Sequence, residues 1–222
     1  MNLVHYITVS ILIITVIFLI RAEIRKTRKQ IYILKPLATA LILFLVIYAW
    51  CAGLNVSAFY SLWILVALVF SLGGDIALMF QERPREFRLG LVLFLMANLI
   101  YAVTFSSFGD WNTAPWYVLI IIGFLAASAY VYLYPGLGSM RGSVLVYIFV
   151  ISYMLNRAIA TNFGEFFNRG QACLISGGAG LFYISDLILA VHRFRRSFSY
   201  NRISLAFYYA GQLMIACSTI SL

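Results

Sequence analysis

Residues 56–80 read VSAFYSLWILVALVFSLGGDIALMF, twenty-five residues with one charged member, Asp75. The run is apolar on every face, with neither the strict alternation of a half-buried strand nor the single apolar stripe of a surface helix. A stretch of 18 or more such residues is read as a membrane-crossing helix, because about 30 Å of hydrocarbon needs roughly 20 residues of α-helix. In lipid only helices and closed barrels satisfy every backbone polar group, and a continuous apolar run excludes the barrel. Asp75 therefore lies inside a span rather than beside one.

The same signal recurs along the chain. Spans are expected at roughly 3–20, 31–50, 56–80, 88–107, 115–134, 142–160, 170–192 and 201–221, with ends uncertain by about 2–4 residues. The expected fold is an all-α polytopic transmembrane bundle of eight helices, a single transmembrane domain over residues 1–222. Gly53 and Asn55 punctuate the second boundary, Pro84 the third, Gly109–Pro115 the fourth and Pro135–Gly138 the fifth. Between Arg157 and Arg169 the boundary is softer, because that segment holds several apolar residues. The first run, Leu3 to Ile20, follows no basic stretch and no small-residue cleavage site follows it, so it reads as a retained span. Composition agrees: 64% of the 222 residues are hydrophobic and 10% are charged, against about 45–50% and about 25% in ordinary soluble domains.

The net charge is +9, but the basic residues sit mainly in loops, so nucleic-acid binding is a poor reading. They report orientation and contact with anionic membrane lipid instead. Of the 16 Lys and Arg residues, 13 fall in the odd-numbered loops and only Arg157 and Arg169 in the even ones. The remaining one, Lys35, opens the second span. The positive-inside rule puts the odd loops in the cytoplasm and both termini outside it. A multi-pass integral membrane protein is expected, in the inner membrane if the cell is bacterial. The two halves also share a short pattern, Gly74-Asp75-Ile76-Ala77-Leu78 against Ser185-Asp186-Leu187-Ile188-Leu189. Each is followed by a basic loop and an aromatic-rich span, as two parallel four-helix repeats would be.

Five of the seven acids, Glu23, Glu82, Glu86, Asp110 and Glu165, are assigned to loops; Asp75 and Asp186 alone fall inside spans. A carboxylate there costs roughly 2.5–3.5 kcal/mol on insertion scales, faces the bundle interior and marks function. The plainer alternative is a hydrogen-bonding anchor between helices. Counted from the expected span ends, both acids lie roughly 8–9 Å inside the cytoplasmic surface, so they are placed to face one cavity, with Lys35 near the same level and Arg193 and Arg83 just beyond. Tyr183 and Ser71 each share a helix face with an acid, Asp186 and Asp75 respectively. Asn98, Tyr101, Asn156, Tyr209 and Gln212 are polar groups within spans, of the kind that join helices. Gly73 and Ala77, and Ser176 and Gly180, are four apart, the spacing that lets helices approach closely. Gly73 and Gly74 also stand where a substrate would approach the backbone.

Other chemistries find no ligands. His5 and His192 lie on opposite membrane faces, so no histidine-rich zinc site is expected, and the three cysteines have no metal spacing. Neither a Gly-x-Ser-x-Gly elbow nor His-Glu-x-x-His occurs. No cofactor is expected.

Four motifs in order resemble the YhhN-like family of lysoplasmalogenases. They are Lys35-Pro36-Leu37, Phe70-Ser71-Leu72-Gly73-Gly74-Asp75, Gly180-Leu181-Phe182-Tyr183-Ile184-Ser185-Asp186 with Arg193-Phe194, and Tyr208-Tyr209-Ala210-Gly211-Gln212-Leu213. The resemblance runs from Lys35 to about Ser218. It implies an eight-helix, metal-independent enzyme that hydrolyses the vinyl ether bond of a lysophospholipid substrate, a lysoplasmalogen, to a fatty aldehyde and glycerophosphoethanolamine or glycerophosphocholine. Two positions depart from the pattern: Asn98 stands where a histidine is expected between Phe94 and Tyr101, and His192 where an asparagine often precedes Arg-Phe.

The residues suit that chemistry. Vinyl ether hydrolysis needs a proton donor, a negative charge beside the resulting cation and a placed water. Two carboxylates in unequal environments divide such roles, as in glycoside hydrolysis. Asp186 is assigned as acid and Asp75 as the ionised partner nearer Lys35, with Lys35, Tyr183, Asn98 and Arg193 as substrate-binding candidates. A proton-coupled transporter or flippase would use the same intramembrane acids, and a non-catalytic scaffold is a third reading.

The orientation is testable. With single cysteines moved into the segment from Arg25 to Lys29, an impermeant thiol reagent added to intact cells is expected to leave them unlabelled. Labelling from outside would invert the topology.

Overall fold

The computed structural model describes residues 3–80, 82–109, 115–196 and 202–221. The loop position expected for Asp110, the middle of the turn from Gly109 to Pro115 and the first residue of the expected eighth span lie outside the described residues. Eight α-helices follow in order: α1 (Leu3–Ile24), α2 (Arg28–Cys51), α3 (Ala58–Leu78), α4 (Pro84–Phe108), α5 (Trp116–Leu133), α6 (Arg141–Ala160), α7 (Arg169–Phe194) and α8 (Ile203–Cys217). Seven are long and apolar enough to cross a membrane by themselves or with an adjoining 3₁₀ turn. The eighth, at 15 residues, spans only about 22 Å at 1.5 Å per residue. Its turns continue through Ser218 and Thr219, whose hydroxyls donate to the carbonyls of Ile215 and Ala216 at 2.6 and 2.7 Å. Those bonds occupy carbonyls that an extra helical turn would have satisfied.

Proline and glycine act where the sequence places them. Pro84 is the first residue of α4, where its missing N–H costs no intrahelical bond. Gly53 takes φ +67° just past the end of α2, the left-handed position that favours glycine after a helix. The soft boundary after α6 resolves into a 3₁₀ turn, Thr161–Phe163. Asn168 then caps α7, accepting from the Gln171 backbone N–H while the Gln171 side chain accepts from that of Asn168.

Buried side chains from all eight helices join in one core, although α5 contributes little and turns most of its surface, Phe124 and Val131 among it, outward. The packing order is regular: α1 packs on α2 as α5 does on α6, α2 on α3 as α6 on α7, α3 on α4 as α7 on α8, and α4 on α6 as α8 on α2. Each of these contacts maps onto another when the chain is shifted by four helices, the order that a parallel duplication generates; the smaller contacts of α1 with α8, α5 with α7 and α3 with α8 do not repeat in this way.

The even-loop end is sewn together by hydrogen bonds. Val56 N–H donates to the Thr219 carbonyl (2.9 Å) and Ser221 N–H to that of Leu54 (2.8 Å), and the Gln171 side chain donates to the Ile220 carbonyl (3.2 Å). The opposite, basic-loop end carries the cavities described below.

Helices α7 and α8 meet backbone to backbone. A Cβ on Gly178 would stand 2.7 Å from the Gly211 carbonyl oxygen, and one on Gly211 would stand 2.6 Å from that of Gly178. Gly180, one of the pair read from spacing, has nothing within 4 Å of such a Cβ, so the close approach runs through Gly178 instead. Gly73 and Gly74 face Leu93 and Phe94 of α4, so they pack helix on helix and admit the Phe94 ring rather than a substrate.

Gly178→Leu and Gly211→Leu are each expected to lower stability by about 1–3 kcal/mol or more, because the obstructing atom is backbone and cannot swing aside. Gly180→Ala should leave it unchanged. Thermal unfolding of detergent-purified variants measures both; an undiminished Tm in Gly211→Leu would remove the close contact from the account.

Candidate active site

Asp75 sits three residues from the end of α3, whereas α7 continues eight residues beyond Asp186. At 1.5 Å per residue they lie about 4–5 and about 12 Å from their helix ends, because α3 stops earlier and α7 later than their apolar runs suggest. Both nevertheless line the same polar cavity, together with Lys35, Glu23, Arg202 and Tyr208.

Asp75 is 2% exposed and heavily compensated. Its Oδ2 accepts from the Thr39 hydroxyl at 2.6 Å and from the Tyr208 hydroxyl at 2.8 Å. Lys35 Nζ stands 3.6 Å from Oδ1, an ion pair too long for a direct hydrogen bond. Lys35 and Thr39 are four apart on α2 and present one face to the acid. Lys35 is two helical turns into α2 and 6% exposed, so it does not extend to the interface as a snorkelling lysine does.

Asp186 is held differently. Its one hydrogen bond among the described residues comes from the Tyr147 hydroxyl of α6, and no ion pair reaches it among them. Tyr147 in turn accepts from the Asn98 amide at 3.4 Å, and that amide also donates to the Phe94 carbonyl at 3.0 Å. Three supports thus hold Asp75 and one holds Asp186. Donors and a nearby cation favour the ionised form of a carboxylate. Asp75 is therefore the better placed to hold a negative charge and Asp186 the better placed to carry a proton.

Asp186 also lines a second cavity. This one is apolar and lies among α4, α5, α6 and α7. Leu78, Phe94, Asp186 and Leu189 line both cavities and form the wall between them. The lack of a side chain on Gly74 lets the Phe94 ring lie in that wall, since a Cβ there would meet the ring at 2.7 Å.

The other sequence candidates separate. Tyr183 and Arg193 line the apolar cavity. The Tyr183 hydroxyl accepts a long bond from Ser152 (3.5 Å) rather than reaching Asp186, and the Arg193 guanidinium lies 4.6 Å over the Phe87 ring. Asn98 is fully buried behind Tyr147 and lines neither cavity. Ser71 accepts from Gln212 (3.1 Å), which accepts from Tyr101 (2.7 Å), so these three join α3, α4 and α8 rather than supporting Asp75. Tyr209 donates to the Lys35 carbonyl (3.2 Å).

Sequence reasoning missed Thr39, Tyr208 and Tyr147. Thr39 had a signal, its four-residue spacing from Lys35, and Tyr208 opens one of the four motifs; Tyr147 carried none beyond being a polar group in an apolar span. Glu23, assigned to a loop, is in the last turn of α1 and pairs with Arg202 at 3.0 Å. The run of basic residues just after it reads as loop, but α1 continues three residues past Arg21.

Comparison with known proteins agrees with the motifs. The bovine and human proteins described as lysoplasmalogenase TMEM86A are 34% and 33% identical over 161 and 160 residues, which is 71% of this chain and 65% of each relative. The aligned stretch thus spans just under two thirds of the curated relatives' length. No solved structure matches. The sequence model of the YhhN family matches residues 30–219, a stretch that holds Lys35, both acids and the helices that support them, and the chain belongs to the YhhN family.

Proposed function

We propose that the protein hydrolyses the vinyl ether bond of lysoplasmalogens within the membrane. The observation that carries this reading is the position of Asp186 in the wall shared by a polar and an apolar cavity. A lysoplasmalogen changes from polar head to apolar chain at its vinyl ether. With the alkenyl chain in the apolar cavity and the glycerophosphate in the polar one, that bond lies beside Asp186. The description of the relatives as lysoplasmalogenases supports the same reaction; the transport alternative gains no support from them.

The steps balance without a cofactor. Asp186 gives its proton to the β-carbon of the vinyl ether, leaving an oxocarbenium ion. The carboxylates, Asp75 above all, stabilise that cation electrostatically. Water adds to the cationic carbon and returns a proton to Asp186. The hemiacetal collapses to aldehyde and glycerol hydroxyl. Tyr147 orients the acid, and Asn98 orients Tyr147, so Asn98 acts here through two hydrogen bonds rather than on the substrate. Tyr183 and Arg193 border the chain, and Lys35 meets the phosphate while keeping Asp75 charged.

Asp75→Asn and Asp186→Asn are each expected to lower aldehyde release from lysoplasmalogen by about 10²–10⁴-fold, the usual contribution of general acid–base groups, with unchanged elution of the folded protein on size exclusion. Turnover at the unsubstituted rate in either variant would remove that residue from the mechanism. The role of Lys35 separates by substrate. Lys35→Met should raise KM for lysoplasmalogen more than for a phosphate-free alkenyl glycerol, since lost uniform binding appears in KM. Equal effects on both would confine Lys35 to supporting Asp75.

A further inference from the structure

The polar cavity holds a second ion pair that the hydrolytic chemistry does not use. Glu23, in the last turn of α1, and Arg202, immediately before α8, meet at 3.0 Å with side chains 14% and 29% exposed. Both line the cavity that contains Lys35, Asp75 and Asp186. Half-buried ion pairs that merely staple helices are common and contribute little. This one differs in facing a cavity already occupied by a matched pair of opposite charges.

The charge inventory is informative. Lys35 is balanced by Asp75 and Arg202 by Glu23, while Asp186 in its proton-donating form adds no charge. The cavity is therefore neutral overall but strongly dipolar. A guest with a lone phosphate brings an unbalanced negative charge close to two carboxylates. A guest with a phosphate and an ammonium exchanges one ion pair for two, phosphate to Arg202 and ammonium to Glu23. Charge-assisted bonds of that kind are the strong ones.

The order of the groups fits as well. Glu23 is one residue from the end of α1 and Arg202 one residue before the start of α8, both at the basic-loop surface. Lys35 is seven residues into α2, about 10 Å deeper by helix rise. From depth to surface the cavity thus offers Lys35 with the two acids, then Arg202 with Glu23. A lysophospholipid entering chain first presents its vinyl ether before its phosphate and amine, in the same sense.

We propose that Glu23 and Arg202 form a head-group subsite that selects zwitterionic lysolipids over those with an anionic phosphate alone. The proposal rests on the lysoplasmalogenase reading for its substrate, and binding and turnover are measured separately so that the two fail independently. The binding probes are non-hydrolysable ether lysolipids, alkyl glycerophosphoethanolamine and alkyl glycerophosphate, titrated into full-length protein in detergent. The turnover probes are the matching alkenyl lipids, with alkenyl glycerol as the head-group-free control.

The unsubstituted protein is expected to bind the zwitterion about tenfold more tightly than the bare phosphate, the low end for one charge-assisted bond. Glu23→Gln should erase that difference by weakening the zwitterion alone. Arg202→Gln should weaken both phosphates and leave alkenyl glycerol turnover unchanged. Equal binding of both probes by the unsubstituted protein, or equal loss on all lipids in Glu23→Gln, would overturn the subsite and leave a helix staple. Should Glu23→Gln fail to fold, the exchange Glu23→Arg with Arg202→Glu keeps the bridge but reverses it. Selectivity for the zwitterion is expected to vanish, and its persistence would overturn the proposal. Selective binding without aldehyde release from any alkenyl lipid would sink the hydrolase reading and keep the subsite.

Discussion

A carboxylate among apolar helices has no water to stabilise it, so every charge must be compensated where it stands. The Lys35–Asp75 pair meets that constraint, and much of the bundle is arranged to support it. The cation comes from α2, the acid from α3, and the hydroxyl donors from α2 and α8. These helices are joined further by Tyr209 on the Lys35 carbonyl and by the line from Tyr101 through Gln212 to Ser71. Removing one member of a buried pair leaves the other uncompensated, which costs several kcal/mol. The pair therefore makes each charge depend on the other helix, a constraint on how α2 and α3 sit rather than a net gain in stability.

The molecule divides its work between its two ends. At the even-loop end, backbone hydrogen bonds tie the α2–α3 turn to the last residues of the chain, and the capping residue Gln171 joins them. At the basic-loop end the helices separate around two cavities. Cavities leave packing incomplete at that end, so rigidity must come from elsewhere. The glycine contact between α7 and α8 serves the same purpose. It fixes the helix carrying Asp186 against the helix whose Tyr208 supports Asp75.

The sequence made the fold legible because lipid leaves so few options: long apolar runs must be helices, and their punctuation shows where they end. It made the two acids and Lys35 legible because charge in such runs is rare. It did not reveal the donors around them. Tyr147 looks like any other polar group in an apolar span, the spacing of Thr39 from Lys35 and the motif that Tyr208 opens do not say what they bond, and nothing in an all-round apolar helix shows which face is interior. Helix ends are hidden for a related reason. A basic run looks like a loop whether or not the helix continues into it, so Glu23 reads as outside the helix. Asn98 illustrates the remaining gap: polarity and position marked it as a site residue, but only the packing of α4 on α6 places it behind Tyr147.

The unequal state of the two acids is notable because their frame is so regular. Shifting by four helices carries α2 onto α6, α3 onto α7 and α8 onto α4. Asp75 and Asp186 then occupy corresponding helices, and each is supported from the corresponding directions: Asp75 from α2 and α8, Asp186 from α6 directly and from α4 through Asn98. What differs is the chemistry of the supports. One acid has a lysine and two hydroxyls, the other a single phenol backed by an amide. Two identical environments would have produced two acids of similar proton affinity, competing for the same role. Placing the cation on one side only makes them unequal: one acid has a lysine beside it and the other faces the apolar cavity. On the proposed reading, that inequality of a few side chains is what divides donor from stabiliser.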